Sequence, residues 1–135
     1  MKSARITAQD RELIAAAVEV LRRNYRKGRH TVGAAVRCPS GKVYVGVNVE
    51  ACGYGPCAEP VAIGGAFTAG EREIAKIVAV HKEADEYPVI SPCGNCRQLV
   101  FDYSPEALVI LVLDGRVVKA AAKDLLPGAY RFDFD

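Results

Sequence analysis

The sequence predicts an α/β fold with a mixed five-stranded sheet and helices on both faces. Two observations carry this prediction. A β-hairpin pattern is followed by alternating helical and strand-like segments, which places helices over a sheet rather than beside one. Ala107–Leu113 is continuously apolar, as a strand covered on both faces must be. The 135 residues suit one domain spanning 1–135, which buries roughly 65–70% of the surface its unfolded chain exposes.

Half of the residues are hydrophobic, a quarter are charged, and the net charge is +2. That balance excludes a disordered chain and gives no bulk attraction to nucleic acid. The N-terminus lacks the apolar run of a signal peptide, and no uninterrupted apolar stretch is long enough for a bilayer. The expectation is a soluble, cytoplasmic protein with no membrane and no nucleic-acid partner. In a reducing compartment its five cysteines read as thiols or metal ligands rather than as disulfides.

Thr7, with Asp10 three residues on, caps a predicted helix over Ala8–Asn24, in which Leu13, Ile14, Ala17, Val18 and Leu21 recur at helical spacing. Gly28 is expected to end it. The basic residues Arg22, Arg23, Arg26, Lys27 and Arg29 suit a helix C-terminus better than they suit a nucleic-acid surface. Strands are expected at Thr31–Val36 and Lys42–Val49, joined by a Pro39-Ser40-Gly41 turn. Gly33 and Gly46 weaken these strands and mark places where a backbone or a ligand comes close.

Pro56 and Pro60 fix the start of the next helix near Cys57–Pro60, since proline is tolerated only where its missing N–H has no partner. The almost wholly apolar run that follows is expected to be buried, with Gly64 and Gly65 permitting close packing. A strand over Ile74–Val80 leads through Tyr87–Ile90 to a third helix, with Ser91 as its cap and Pro92 in first position. Ser104-Pro105 ends that helix. Asp114-Gly115 then turns the apolar strand into Arg116–Val118, and a short helix near Ala121–Leu126 stops at Pro127.

Two motifs carry the chemistry. Cys57 is followed two residues later by Glu59, and Cys93 and Cys96 form a C-x-x-C pair. A C-x-x-C alone is equally a structural metal clip or a redox pair, and a lone Glu59 reads as a first-turn acid facing the helix dipole. Together they supply three thiols for a tetrahedral metal and a carboxylate beside it that can relay a proton. Both motifs enter predicted helices, whose N-termini are expected to favour thiolates.

The chain resembles the cytidine deaminase family, of the zinc-dependent three-cysteine type. The resemblance runs through Val32-Gly-Ala-Ala35, Asn48-Val-Glu50, Cys57-Ala-Glu59, Ser91-Pro-Cys-Gly-Asn-Cys-Arg-Gln98 and Asp124-Leu-Leu-Pro127. It implies a three-layer α/β/α sandwich, one Zn2+ held by Cys57, Cys93 and Cys96, Glu59 as proton shuttle, and a homotetramer. The implied reaction is hydrolytic deamination of cytidine or 2′-deoxycytidine. Asn48 and Glu50 match positions that hold ribose hydroxyls; Ala58 joins the substrate-binding set, and His30 stands where an aromatic residue borders the base. Gly55-Pro-Cys-Ala-Glu59 is similar to the deaminases of blasticidin S, which makes that antibiotic or another modified cytosine compound the alternative substrate. Pro60 replaces an arginine usual in three-cysteine relatives, which leaves helix dipoles and Arg97 to offset thiolate charge. A non-catalytic zinc module would need Cys52 as a fourth ligand.

Overall fold

The computed structural model describes residues 1–132. Its elements are β1 (Ala4–Arg5), α1 (Ala8–Asn24), β2 (Val32–Arg37), β3 (Val43–Val47), α2 (Ala58–Thr68), β4 (Lys76–His81), β5 (Val89–Ile90), α3 (Gly94–Tyr103), β6 (Leu108–Leu113) and β7 (Arg116–Ala121). One mixed sheet runs β1-β7-β6-β4-β2-β3, with β5 added on β4. The β4–β6 pair is parallel and the other pairs are antiparallel.

Seven strands replace the expected five. The two additions, β1 and β5, have two residues each, too short for alternation to register in sequence.

Strand alternation divides the core into two layers. Ala35, Val78, Val80 and Ile110 meet Leu13, Ala17 and Leu21 of α1. Ala34, Val36, Ile77, Ala79, Val109 and Leu111 face the other way, onto Ala62, Ile63 and Ala66 of α2 and Val100 of α3. Successive side chains of a strand point to opposite faces, and both faces are apolar here, giving the three-layer α/β/α sandwich.

Gly33 and Gly46 are the points of closest approach, and in both cases the neighbour is a helix rather than a ligand. A Cβ on Gly33 would lie 2.5 Å from the Ala17 carbonyl of α1, and one on Gly46 would lie 2.7 Å from the Ala62 nitrogen of α2.

Gly64 and Gly65 behave differently from expectation. They are exposed, and nothing lies within 4 Å of a Cβ built on either. Helix α2 therefore buries Ala58, Glu59, Ala62, Ile63 and Ala66 and leaves its glycine face open.

Thr7 and Asp10 close a full capping box on α1. Asp10 is wholly buried and also pairs with Lys76 (2.6 Å) and Lys119 (2.7 Å), so one carboxylate ties the start of α1 to β4 and β7. Burial alone would raise its pKa; the hydrogen bonds from Lys119, Lys76 and Thr7 outweigh burial and hold it well below the carboxylate range. The helix ends at Asn24, and Gly28, at φ 75°, serves the following turn instead of capping. The short C-terminal helix is a 3-10 turn over Ala122–Leu125. Among the described residues no helix is long and apolar enough to cross a membrane.

Candidate active site

The N-termini of α2 and α3 meet at the sheet edge where the parallel strands β4 and β6 end. In open α/β sheets this end is where ligands bind. Cys57 is the N-cap of α2, so Pro60 falls third in the helix, where no N–H is needed. Cys93, not Ser91, is the N-cap of α3. The Ser91 hydroxyl instead accepts from the Val112 N–H (3.1 Å) and donates to the Val112 carbonyl (3.2 Å), pinning the approach to α3 onto β6.

These caps bring the predicted thiols together. Cys57 Sγ lies 3.8 Å from Cys93 Sγ, which lies 3.6 Å from Cys96 Sγ, and all three fall within 4.8 Å of one another. Tetrahedral zinc with Zn–S bonds of about 2.3 Å sets its sulfurs about 3.8 Å apart. The three thiols fit that ion in both donor type and spacing. Among the described residues the cluster includes neither Glu59 nor Cys52, and Cys52 is exposed on the loop before Cys57.

Thiol ionisation departs from expectation. Burial pushes the Cys57 and Cys96 thiols up; Cys93 and Glu59 add to both rises and Cys57 to that of Cys96, while the Cys96 thiol partly offsets the rise at Cys57. Only Cys93 is lowered: burial opposes its thiolate, but the Cys96 and Asn95 amides and the adjacent thiols favour it more. Helix N-termini alone do not ionise the set, and metal binding has to displace protons.

Glu59, in the first turn of α2, is 5% exposed. Burial raises its pKa, and hydrogen bonds from its own backbone and from the Cys96 thiol only partly offset the rise. A carboxyl group held above its usual range is suited to taking and returning a proton near neutrality.

Cys57, Ala58, Glu59 and Cys93 border a cleft of about 250 Å³, shared with Asn48 and Glu50. Asn48 is buried; its Oδ1 accepts from the Thr31 (2.7 Å) and Val32 (2.9 Å) amides, and its Nδ2 donates to Glu50 Oε2 (3.0 Å) and Thr31 Oγ1 (3.3 Å). His30 lies outside the residues lining the cleft. Its Nδ1 sits 2.8 Å from the Asn48 carbonyl, which can only accept, so Nδ1 carries the proton. Arg29 donates to the Glu50 carbonyl (2.9 Å). Arg97 Nε donates to the Pro92 carbonyl (2.9 Å), so it braces the Cys93 loop.

Thr31, Gly55 and Ser91 also line the cleft, and sequence reasoning missed all three. Gly55 and Ser91 carried a signal, each as the first residue of a cysteine motif, and Thr31 carried none beyond its place at a strand start.

A buried carboxylate beside three thiols spaced for a metal ion, at the end of the parallel strands, is the arrangement a metal-dependent hydrolase requires. The family model described as the cytidine and deoxycytidylate deaminase zinc-binding region matches residues 7–112, and the chain belongs to this family. A blasticidin-S deaminase from Bacillus cereus is 39% identical over 137 aligned residues, covering 96% of this chain and 98% of that one. A cytidine deaminase from Halalkalibacterium halodurans is 35% identical, covering 76% and 78%. The crystal structure of cytidine deaminase from Burkholderia pseudomallei superimposes with a TM-score of 0.75 at 36% identity, covering 93% and 100%.

Proposed function

We propose that this enzyme deaminates free cytosine nucleosides, converting cytidine or 2′-deoxycytidine and water to the uracil nucleoside and ammonia. The observation that carries the reading is the single cleft that joins the three-thiol cluster and Glu59 to the carboxylate of Glu50. Zinc, when bound, acts as a Lewis acid that makes water nucleophilic at neutral pH. Cys57, Cys93 and Cys96 would hold it. Glu59 would accept the proton of the attacking water and pass it to ring N3, making C4 electrophilic. As the C4–N bond breaks, Glu59 would take the remaining proton of the hydroxyl added at C4 and deliver it to the departing amine, leaving a carbonyl at C4. Ala58 borders the base, and Glu50 accepts from the sugar hydroxyls.

Glu59→Gln tests the chemistry: zinc content should be retained while kcat falls by more than about 100-fold. Full turnover in that variant overturns the mechanism.

A second substrate is favoured by a specific observation, the 39% identity with a blasticidin-S deaminase over nearly the whole of both chains. Ammonia release from cytidine, 2′-deoxycytidine and blasticidin S, measured side by side, separates the two readings.

We also propose a cytoplasmic homotetramer. Its support is apolar surface that such an assembly would cover: Val43, Val45 and Val49, each about 40% exposed, and the open Gly64-Gly65 face of α2. Light scattering on the purified enzyme gives the mass directly; a monomer at micromolar concentration would exclude the tetramer.

A further inference from the structure

We propose that Cys93 and Cys96 form a peroxide-sensitive dithiol, a modification site at which a hydroperoxide closes a disulfide and expels the metal. The inference needs only the three metal-binding thiols, whichever cytosine compound is the substrate.

Five cysteines compete for such a bond, and placement separates them. Cys38 is buried just past the far end of β2, whose near end, Val32, borders the cleft. Six strand residues, about 20 Å, keep it from the cluster. Cys52 is exposed on the loop before Cys57 and lies outside the three-sulfur cluster. A disulfide sets its sulfurs about 2.05 Å apart, so a pair among the remaining three has to close. Cys93 and Cys96 start 3.6 Å apart, on the cap and in the first turn of one helix, α3. Closing that pair turns two side chains of a single turn, and C-x-x-C at a helix start is the spacing of dithiol redox motifs. Cys57 and Cys93 start 3.8 Å apart but cap different helices. Those helices are seated independently: α2 lies against β3 at Gly46, and Ser91 pins the approach to α3 onto Val112.

Access assigns the roles. Cys93 is exposed and lines the cleft, whereas Cys96 is 1% exposed. A hydroperoxide entering the cleft meets Cys93 first. The Cys93 sulfur attacks the peroxide, the O–O bond breaks, and a sulfenic acid and one water result. The Cys96 sulfur then attacks Cys93 Sγ; the S–O bond breaks, the S–S bond forms and a second water leaves. Two thiols and one hydrogen peroxide give one disulfide and two waters, the protons coming from the thiols or, in the loaded site, from solvent. Only Cys57 is left as a thiolate ligand, too few to hold zinc. A thiol reductant reverses the step by exchange.

Hydrogen peroxide added to the purified zinc-loaded enzyme should remove two of the five thiols per chain and release zinc in the same time course. Dithiothreitol with added zinc should restore both. Trypsin locates the bond, because residues 83–97 carry Cys93 and Cys96 while residues 43–72 carry Cys52 and Cys57. The 83–97 segment should be two hydrogens lighter and joined to nothing else. A cross-link between the two segments, a bond within 43–72, or a sulfinic acid on Cys93 with no bond overturns the proposal, and so does oxidation that leaves zinc in place. Cys57→Ser should still yield the lighter 83–97 segment, since the third thiol takes no part in the bond; loss of that product in the variant also counts against it.

Discussion

Gly46→Ala is a substitution in the sheet that should disable a site it does not touch. The new Cβ would meet the Ala62 nitrogen at 2.7 Å and Val61 Cγ1 at 2.8 Å. Ordinary Cβ contacts begin at 3.4 Å, so α2 has to lift off β3 by about 0.7 Å at that point, and a main-chain atom cannot turn aside as a side chain can. Val61 and Ala62 directly follow the first turn of α2, which carries Glu59 and is capped by Cys57. Overpacking of this kind costs typically about 1–3 kcal/mol, a fall in Tm of roughly 3–12 °C for a chain of this size. A misplacement approaching 1 Å at a reacting group costs up to about 100-fold, so kcat should fall about 10- to 100-fold. Gly33→Ala is the control. Its Cβ would meet the Ala17 carbonyl at 2.5 Å, but the helix it lifts is α1, on the face away from the thiols. Tm, kcat and zinc content measured on both variants should show similar losses of stability and a loss of turnover only in Gly46→Ala. Equal kcat in the two variants would refute the claim that the seating of α2 on β3 sets the catalytic geometry.

Cys96→Ser should lose zinc and activity, whereas Cys52→Ser keeps both; metal analysis of the two proteins decides the matter, and loss of zinc from Cys52→Ser would point to a fourth ligand. Zinc uptake at pH 7 should release protons, because Cys57 and Cys96 are held protonated above the ordinary thiol range. Calorimetry in buffers of different ionisation enthalpy measures that release, and buffer-independent heats would contradict it. Asp10→Asn should destabilise the protein at pH 7 by about 3 kcal/mol, the low end for stripping a buried pair, since Lys76 and Lys119, at 16% and 11% exposed, can turn to water. The Asp10 pKa is depressed on folding, so its contribution is present above the unfolded carboxylate value near 4 and is lost as pH falls through the lower folded one. The stability gap between the two proteins should therefore narrow in acid denaturation below about pH 4.

The metal site was legible because its signals are local. Cys57 and Glu59 are two residues apart, Cys93 and Cys96 three, and prolines fix where their helices begin. The Thr7–Asp10 cap was legible for the same reason. The partners of Asp10 were not: Lys76 and Lys119 are 66 and 109 positions away, and nothing in local composition distinguishes them from surface lysines. Ser91 has the composition of a cap, yet tertiary contact with Val112 takes its hydroxyl and Cys93 becomes the cap instead. The strands β1 and β5 exist only because long neighbours offer an edge. Gly64 and Gly65 misled because a small residue permits close packing without requiring it. The Asn48–Glu50 corner of the cleft was half legible: both stand out as polar residues at a strand end, but the hydrogen bonds of Asn48 depend on the Thr31 and Val32 amides, which have no signature in sequence.

The charge balance of the metal site follows from the same geometry. Three thiolates around a divalent ion leave a net charge of about −1. Pro60 supplies no cation to offset it; Arg97, whose Nε–H donates to the Pro92 carbonyl, keeps its guanidinium charge beside the Cys93 loop. Two helix N-termini stand alongside it, because Cys57 caps the 11-residue α2 and Cys93 the 10-residue α3. Each contributes roughly half a positive charge at its start, so the pair supplies about one unit, and it does so from fixed dipoles rather than from a flexible side chain. Without metal, the same dipoles face thiols too crowded and too buried to ionise together, and only Cys93 is lowered. The helix ends therefore act on the loaded site, where the negative charge they offset appears only once the metal has displaced the protons.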